Sequence, residues 1–219
     1  MKKIISSLLI FITLAVLTFS KVTAIAIPGD DIIYLPFITK SEDTPPPPTI
    51  PGDKNPKGDG WYVVNSEIAP GYWRSTAGSL SCYWERDKDL NQNLDSILGN
   101  YFGDSGGLIH ILPTDVVVEF TRCGTWTYLP PDYQKVLQPN ATSPHGDGVY
   151  LVGIDIAPGT WRTTSGNSNC YWERDQDATG TLDDIINNYY GPSGGFVTIA
   201  PTDLQLQISD CGTLNYISP

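Results

Sequence analysis

Basic residues are scarce in this chain, and their scarcity limits the partners it can have. The 219 residues include 13 lysines and arginines against 24 aspartates and glutamates, which gives a formal net charge of −11. Nucleic acids and anionic lipids are bound largely through lysine and arginine. We therefore expect neither as a partner. A surface of this charge suits a soluble exported protein and can attract cations.

Histidine and the motifs of common cofactor sites are also scarce. The chain has only His110 and His145, and its four cysteines do not cluster with them at the spacing of metal ligands. No glycine-rich phosphate loop follows a predicted strand and opens a helix. These residue types therefore predict no cofactor.

One serine motif is present, but it lacks the residues that would make it catalytic. Residues 103–107 read Gly-Asp-Ser-Gly-Gly and resemble the nucleophile segment of trypsin-like serine proteases. That family places its histidine and aspartate before the serine, whereas both histidines of this chain follow Ser105. A second copy, at residues 191–195, reads Gly-Pro-Ser-Gly-Gly. We interpret both segments as glycine-rich turns and predict no protease activity.

The N-terminal hydrophobic run predicts export. Residues 4–19 are apolar, follow Lys2 and Lys3, and precede small residues at positions 22–24. This pattern predicts a secretory signal peptide over residues 1–24. An uncleaved anchor is the less favoured alternative, because a spanning helix needs about 20 apolar residues. Cleavage removes three lysines and no acid, so the net charge becomes −14. We expect a secreted or cell-surface protein without stable membrane insertion after cleavage.

Two proline-rich segments divide the rest of the chain. Residues 25–57 start with an apolar stretch, interpreted as a stalk or a stray strand rather than an attachment peptide, and continue into a linker with four consecutive prolines. That linker favours an extended polyproline II conformation. Residues 130–145 form a second linker, with an N-glycosylation pattern at Asn140. Two modules remain, at residues 58–129 and 146–219.

The two modules are copies of one another. The string Cys-Tyr-Trp-Glu-Arg-Asp occurs at residues 82–87 and at residues 170–175, and residue n of the first module matches residue n + 88 of the second without a gap. Four cysteines allow three pairings, and the repeat favours Cys82–Cys123 with Cys170–Cys211, one bridge in each module. Buried reduced thiols are the alternative, which export to an oxidising compartment disfavours.

Each module is rich in strand signals and contains one predicted helix. Short apolar runs are separated by turns such as Ala-Pro-Gly at residues 69–71 and Pro-Thr-Asp at residues 113–115. Apolar residues at i, i+3, i+4 and i+7 predict a short helix in each copy. These residues are Leu94, Ile97, Leu98 and Tyr101, and then Leu182, Ile185, Ile186 and Tyr189. We therefore expect a mainly β fold of two tandem small antiparallel β-sandwich or barrel modules, each with one short helix and one disulfide.

Two acidic loops carry alternating oxygen ligands of the kind that calcium prefers. Asp87 and Asp89 belong to the first loop, and Asp175 and Asp177 to the second. Neither loop is an EF-hand, because its twelfth position is apolar where an EF-hand has glutamate. We interpret both as solvated loops, with a weak calcium site in each, at Asp87 and Asp89 or at Asp175 and Asp177, as the alternative.

Tryptophan and tyrosine supply both core residues and candidate ligand platforms. The tryptophans that recur, Trp73 with Trp161 and Trp84 with Trp172, are predicted to lie in the core rather than to stack on sugars. The candidate ligand-binding residues are Tyr72, Tyr83, Trp126 and Tyr171. Because Tyr72 and Trp126 have no aromatic counterpart in the second module, exposure of these two side chains would make the modules functionally unequal.

Arginine occurs at two positions in both repeats, and we predict that these four residues form ion pairs with recurring acids rather than bind an anionic ligand. The arginines are Arg74, Arg86, Arg162 and Arg174, and the candidate acids are Glu67, Asp115, Asp155 and Asp203.

The motifs of the second module resemble a known family. Residues 155–162 read Asp-Ile-Ala-Pro-Gly-Thr-Trp-Arg, residues 170–174 read Cys-Tyr-Trp-Glu-Arg and residues 211–213 read Cys-Gly-Thr. This pattern resembles an uncharacterised module of exported bacterial proteins and lipoproteins. The first module departs from it at Glu67 and Tyr72. The resemblance covers both modules and implies export and a disulfide, but no reaction and no catalytic residues.

Function is predicted at the level of class. We expect a non-enzymatic pair of binding or interaction modules whose partner is a glycan, such as a cell-surface or extracellular carbohydrate, or a surface protein. The alternatives are a hydrolase with paired carboxylates, since Glu85 and Asp87 occur in both copies, and a structural spacer of the cell envelope. The sequence indicates no oligomeric state.

Overall fold

The computed structural model describes residues 52–78 and 81–219, all of which belong to one compact unit. The predicted signal peptide, the apolar stretch and most of the first proline-rich linker lie outside the described residues. Strands dominate both repeats, which confirms the prediction of a mainly β fold of two tandem domains.

The two repeats have the same order of strands. In the first repeat the strands are β1 (Gly60–Val63), β2 (Gly71–Ala77), β3 (Cys82–Asp87), β4 (Ile97–Gly103), β5 (Leu108–Ile111), β6 (Val117–Thr121) and β7 (Gly124–Leu129). In the second they are β8 (Gly148–Leu151), β9 (Gly159–Thr163), β10 (Cys170–Asp175), β11 (Ile185–Gly191), β12 (Phe196–Ile199), β13 (Gln205–Ser209) and β14 (Leu214–Ser218). A 3₁₀ turn at Leu182–Asp184 precedes β11.

Each repeat consists of two antiparallel sheets around one core. The order is β1-β6-β3-β4 and β5-β2-β7 in the first repeat, and β8-β13-β10-β11 and β12-β9-β14 in the second. Trp73 of β2 and Phe120 of β6 come from different sheets and belong to the same buried cluster. The two disulfides, Cys82–Cys123 and Cys170–Cys211, join the predicted partners.

The predicted helices are wrong for most of their length. Residues 97–103 form β4, in which Tyr101 lies opposite Trp84 of β3 and stacks on it with ring centroids 6.0 Å apart. The spacing of apolar residues did not mark one buried helical face, because Leu94 is 87% exposed and Leu98 is also exposed. Pairing with the central strand β3 satisfies the backbone of this segment instead. In the second repeat only the three-residue 3₁₀ turn remains of the predicted helix.

The recurring tryptophans mostly form the core, as predicted. Trp73 and Trp161 are fully buried, and their indole N–H groups donate to the carbonyl oxygens of Ala69 and Ala157, at 2.9 and 3.0 Å. A buried indole N–H usually has such a partner. Trp84 is buried as well, whereas its counterpart in the second repeat is half-buried and packs at the edge of the core.

The repeats pack on one another through different surfaces. A shared cluster contains Leu108 of the first repeat with Leu151, Ile154 and Ala178 of the second. Ala178 belongs to the loop between β10 and the 3₁₀ turn, residues 176–181, which we call the docking loop. It lies against β3, β4 and β5 of the first repeat, so the contact is head to tail rather than between equivalent faces.

Candidate functional site

The docking loop is held by its backbone carbonyl groups. The amide N–H of His110 donates to the oxygen of Ala178 at 2.7 Å, and the guanidinium of Arg86 donates to the oxygen of Thr179 at 2.6 Å. The amide N–H of Asn100 donates to the oxygen of Gly180 at 3.2 Å. Three successive carbonyl groups therefore bind the first repeat, which fixes the loop independently of most of its side chains.

One side chain of the docking loop makes the polar centre of the junction. Asp177 accepts a hydrogen bond of 2.8 Å from the hydroxyl of Tyr72 and lies 2.9 Å from Nδ1 of His110. The rings of Tyr72 and His110 stack with centroids 4.1 Å apart. Burial, and then the hydrogen bond to the Asp177 carboxylate, raise the pKa of Tyr72 above its ordinary value. Tyr72 is thus a neutral donor at any physiological pH.

An ion pair also crosses the junction. The guanidinium of Arg74 binds the carboxylate of Asp155 at 2.6 Å. Asp155 is one of the acids predicted to pair with the recurring arginines, and the arginine that it binds belongs to the other repeat. Arg162, the counterpart of Arg74 in the second repeat, instead donates to the carbonyl oxygen of Gly194 and lies over the ring of Phe196.

The other predicted ion pairs lie within single repeats. Arg86 binds Asp115 through two hydrogen bonds of 2.7 and 2.8 Å, and Arg174 binds Asp203 through two of 2.6 and 2.9 Å. The first pair is almost completely buried. Because Arg86 also holds the docking loop, this pair positions part of the junction.

Two positions at the junction have no room for a side chain. A Cβ atom on Gly99 would overlap the carbonyl oxygen of Thr179, and one on Gly180 would lie 2.7 Å from the amide nitrogen of Asn100. Both positions therefore require glycine. Their counterparts in the other repeat are Asn187 and Gln92, so the first repeat's loop does not fit a face like that of the second repeat.

A mainly apolar cavity of about 400 Å³ lies at the junction. Residues of both repeats and of the second linker line it. They are Gly71, Tyr72, Leu108, His110, Tyr128, Leu129, Pro130, Pro131, Tyr133, Lys135, Leu151, Ile154 and Leu204. The predicted second linker therefore forms a wall of the cavity. We call this space the apolar cavity.

A second cavity, of about 370 Å³, lies at the same junction and is acidic. Trp84, Asn100 and Tyr101 contribute from the first repeat. The second repeat contributes Tyr171, Glu173, Asp175, Asp177, Ala178, Gly180, Thr181, Leu182, Asp184, Ile185 and Gln205. We call this space the acidic cavity.

Burial favours the protonated form of two carboxyl groups in the acidic cavity, those of Glu173 and Asp175. Burial, and then the nearby charge of Glu173, raise the pKa of Asp175 to about 7. Burial also raises the pKa of Glu173, although a hydrogen bond from the Tyr171 hydroxyl opposes the shift. The carboxylate of Asp184 accepts hydrogen bonds from Thr179 and from the amide of Gly180.

The four candidate aromatic residues lie in different surroundings. Tyr72 lines the apolar cavity and Tyr171 lines the acidic one. Tyr83 donates its hydroxyl to Glu85, as Tyr171 does to Glu173, and burial followed by that hydrogen bond raises the pKa of Tyr83 to about 12. The structure therefore brings Tyr72 and Tyr171 to the junction and leaves Tyr83 outside both cavities.

Trp126 is not available to a ligand, which corrects its assignment as a candidate platform. Its side chain is fully buried and stacks on Phe120 with ring centroids 4.6 Å apart. In the second repeat the corresponding residues are Leu214 and Ile208, and the ring of His145 packs at 5.4 Å from Trp161. The loss of an aromatic pair coincides with the gain of a histidine in the same core, so the difference at this position belongs to packing.

The four aspartates considered for calcium do not converge on one point. Asp89 accepts a hydrogen bond from Ser96, and Asp177 is held by Tyr72 and His110. Asp87 is buried, and its carboxylate oxygens have no hydrogen-bond partner among the described residues. In the part of the chain that the structure describes, no group of three or more acidic, histidine or cysteine side chains is arranged to hold a metal ion.

Sequence reasoning missed His110, Gly99 and Asp177 as residues of the junction. The signal that was available is the divergence between the repeats, since His110 and Gly99 are replaced by Thr198 and Asn187. Differences at matching positions of a repeat can mark surfaces that the two copies use differently, as they do at His110 and Gly99. For Asp177 the sequence carried no such signal, because its counterpart Asp89 is identical.

Comparison with known proteins places both repeats in one family. The profile of a family described as "Rv1352-like extracellular domain" matches residues 54–127 and 142–215. Over 81 residues the chain is 36% identical to the uncharacterised proteins Rv1352 of Mycobacterium tuberculosis and Mb1387 of Mycobacterium bovis. These alignments cover 30% of this chain and 64% of each relative, so the chain spans less than two thirds of their length. No solved structure matches it. Among the described residues, no helix is long and apolar enough to span a membrane.

Proposed function

Because the chain belongs to the family of Rv1352-like extracellular domains, two copies of which it carries in tandem, we propose that it is a non-enzymatic extracellular binding protein with a ligand site in the apolar cavity. The observation that carries this proposal is the cavity between the repeats. Its volume of about 400 Å³ lies in the range of small-molecule sites. A few polar groups, from His110 and Lys135, interrupt its apolar lining, as is typical of such sites.

The divergence of the repeats supports one site for each molecule. Tyr72 and His110 line the cavity, and the second repeat has Thr160 and Thr198 at these positions. The two copies thus have unequal roles, one supplying the receiving face and the other the docking loop. A tandem built for avidity would instead carry the same site twice.

The lining favours a compact ligand that is mainly apolar. Leucine, isoleucine and proline make up most of the wall, and these side chains offer a sugar few hydrogen bonds. Carbohydrate is the second candidate, because Tyr72, Tyr128 and Tyr133 present rings that can stack on the apolar face of a pyranose. The rings serve either ligand, so the test must separate the two.

The arrangement of the paired carboxyl groups supports a non-enzymatic role. Glu173 and Asp175 project from the same side of β10, since alternate residues of a strand share a face. Hydrolysis of a glycosidic bond by two carboxyl groups requires them to flank that bond. Side by side on one strand, they would meet the same face of a substrate.

The proposal is tested by titrating the exported chain with the neutral dye N-phenyl-1-naphthylamine and, in parallel, probing a glycan array. We expect one dye site per chain. Replacing Tyr133, an exposed wall residue, by alanine should weaken dye binding about fivefold, the equivalent of about 1 kcal/mol for an aromatic contact. Leu204→Phe, which fills the cavity, should weaken it further. Tyr190→Ala removes an exposed tyrosine outside the cavity and is the matched control.

Each outcome distinguishes the candidates. Glycan binding that Tyr133→Ala abolishes would identify carbohydrate as the ligand class. Dye binding without glycan binding would favour the apolar ligand. Dye binding that neither cavity variant changes would refute the assignment of the site.

A further inference from the structure

The acidic cavity has features that the apolar ligand site does not explain. Four carboxyl groups line it, and no lysine, arginine or histidine does. The carboxylate of Asp177 contacts the hydroxyl of Tyr72 and Nδ1 of His110, two residues that do not line the acidic cavity. Glu173 accepts a hydrogen bond from Tyr171, and Asp184 accepts hydrogen bonds from Thr179 and from the amide of Gly180.

Asp175 differs from these carboxyl groups, because one of its oxygens is buried at the cavity wall without a donor among the described residues. It is 4% exposed, and its Oδ2 accepts a hydrogen bond of 3.1 Å from the side-chain amide of Gln205. Its Oδ1 is buried and has no hydrogen-bond partner among the described residues. A buried acceptor left without a donor costs about 1–3 kcal/mol, and more when the group is charged. The structure thus maintains a costly acceptor at the wall of an open cavity.

Aromatic rings also line the acidic cavity. Trp84 and Tyr101 come from the first repeat, and Tyr171 comes from the same strand as Asp175. Aromatic faces attract cations, tryptophan most strongly. Aromatic rings combined with carboxylates are a known means of recognising organic ammonium groups.

The geometry points to a second ligand site, in which the acidic cavity binds an organic ammonium group beside the carboxyl group of Asp175. A primary amine fits better than a metal ion, because the carboxyl groups in the described part of the chain are not arranged as a metal-ligating cluster. An ammonium needs fewer oxygens and gains from the rings. The site is independent of the apolar cavity, and each can fail without the other.

The matching residues of β3 in the first repeat offer a control within the same chain. Tyr83, Glu85 and Asp87 repeat the sequence of Tyr171, Glu173 and Asp175, but none of them lines the acidic cavity. The side-chain amide of Gln205 also has no equivalent there, since its counterpart is Val117. The site therefore exists only where the second repeat faces the first.

Binding should depend on pH because the carboxyl group that receives the ammonium titrates. Several groups surround Asp175 and affect its charge. These are Glu173 on the same strand, Asp184 in the 3₁₀ turn, Asp177 in the docking loop, Asp203 before β13, and the hydroxyl groups of Tyr101 and Tyr171. All the acids among them favour the neutral form of Asp175. With a pKa of about 7 for this carboxyl group, lowering the pH from 8 to 5 should weaken ammonium binding about tenfold or more.

The experiment is calorimetric titration of the exported chain with butylammonium chloride at pH 8 and pH 5. Butan-1-ol serves as the neutral ligand of similar shape, and calcium chloride as the inorganic cation. We expect butylammonium to bind and butanol not to bind. Asp175→Asn should weaken binding at least about tenfold, whereas Asp87→Asn at the matching position should leave it unchanged. Circular dichroism verifies that each variant is folded.

The outcomes decide the assignment even if one variant does not fold. In that case the pH dependence of the unaltered chain and the variant Glu173→Gln take the place of Asp175→Asn, with the same direction of effect. Absence of binding at 10 mM ligand, on the order of the weakest useful affinity, overturns the site. Equal binding of butanol does so as well. Binding of calcium that depends on Asp175, with none of the amine, would overturn the ammonium class.

Discussion

At the scale of single residues, the two copies of one aspartate show how surroundings alter the same side chain. Asp87 and Asp175 end the same six-residue string. Burial, and then the charges of Glu85 and Glu173, raise the pKa of Asp87 to about 6 and that of Asp175 to about 7. Each carboxyl group is therefore more easily protonated in the folded chain than in the unfolded chain.

This shift predicts the effect of Asp175→Asn on stability at different pH values. Because the folded pKa is raised, the contribution of Asp175 is most favourable below pH 4 and is lost as the pH rises through about 7. The variant should therefore match the natural chain at pH 4 and exceed it at pH 8. The gain at pH 8 should be at most about 4 kcal/mol, at about 1.4 kcal/mol per pKa unit.

Urea unfolding at the two pH values measures this difference. Asp183→Asn, which removes an acid exposed in the neighbouring turn, is the control and should show no such trend. A gain that is the same at both pH values would show that the effect of Asp175→Asn comes from packing rather than from charge.

At the scale of elements, a strand displaced a predicted helix because of its neighbours. The apolar residues of segment 94–101 have helical spacing, and local pattern is the only information that such a prediction uses. In the structure residues 97–103 pair with β3 as an antiparallel strand. The recurrence of the pattern in the second repeat did not help, because a copied segment repeats the same ambiguity.

The contact between β4 and the docking loop predicts a specific effect of Gly99→Ala. The added methyl group would overlap the carbonyl oxygen of Thr179, which the structure holds in place through Arg86. Overpacking of this kind costs about 1–3 kcal/mol. Since Gly99 lies at the junction, we expect the repeats to separate before either one unfolds.

Calorimetry and limited proteolysis of the docking loop test this prediction. Gly99→Ala should split the unfolding transition into two and make residues 176–181 more sensitive to protease. Gly146→Ala, where an added Cβ meets no atom within 4 Å, should change the stability by less than about 0.5 kcal/mol. An unaltered single transition in Gly99→Ala would contradict the role of this contact.

At the scale of the whole molecule, two covalently closed repeats act as one body. Each disulfide joins residues 41 positions apart within its own repeat. The shared apolar cluster, the docking loop and the ion pair between Arg74 and Asp155 connect the repeats without a covalent cross-link. The second linker completes the connection by lining the apolar cavity.

This organisation predicts that loss of one disulfide weakens the entire chain. Replacing Cys170 and Cys211 by alanine frees a closed loop of this length and should lower the free energy of unfolding by about 4 kcal/mol. Because the first repeat packs on the second, scanning calorimetry should still show a single transition at a lower temperature. If instead the first repeat kept its original transition and only the second melted early, the repeats would be independent domains.

The amino-acid sequence alone established the duplication, the pairing of the cysteines and the β class of the fold. These properties follow from identical strings, from their spacing and from local alternation, all of which are legible along one chain. It also identified Tyr72 as a residue that one copy has and the other lacks. The ion pairs of Arg86 and Arg174 were predictable as well, because both members recur together.

The packing of the repeats settled the rest. Whether Trp126 is exposed, which repeat supplies the partner of Arg74, and where Asp175 meets an open cavity all depend on contacts between residues far apart in the chain. Local patterns do not encode such contacts, because two similar repeats can meet in several ways. Close contacts such as those at Gly99 and Gly180 favour the arrangement observed. The candidate sites belong to that single arrangement and to neither repeat alone.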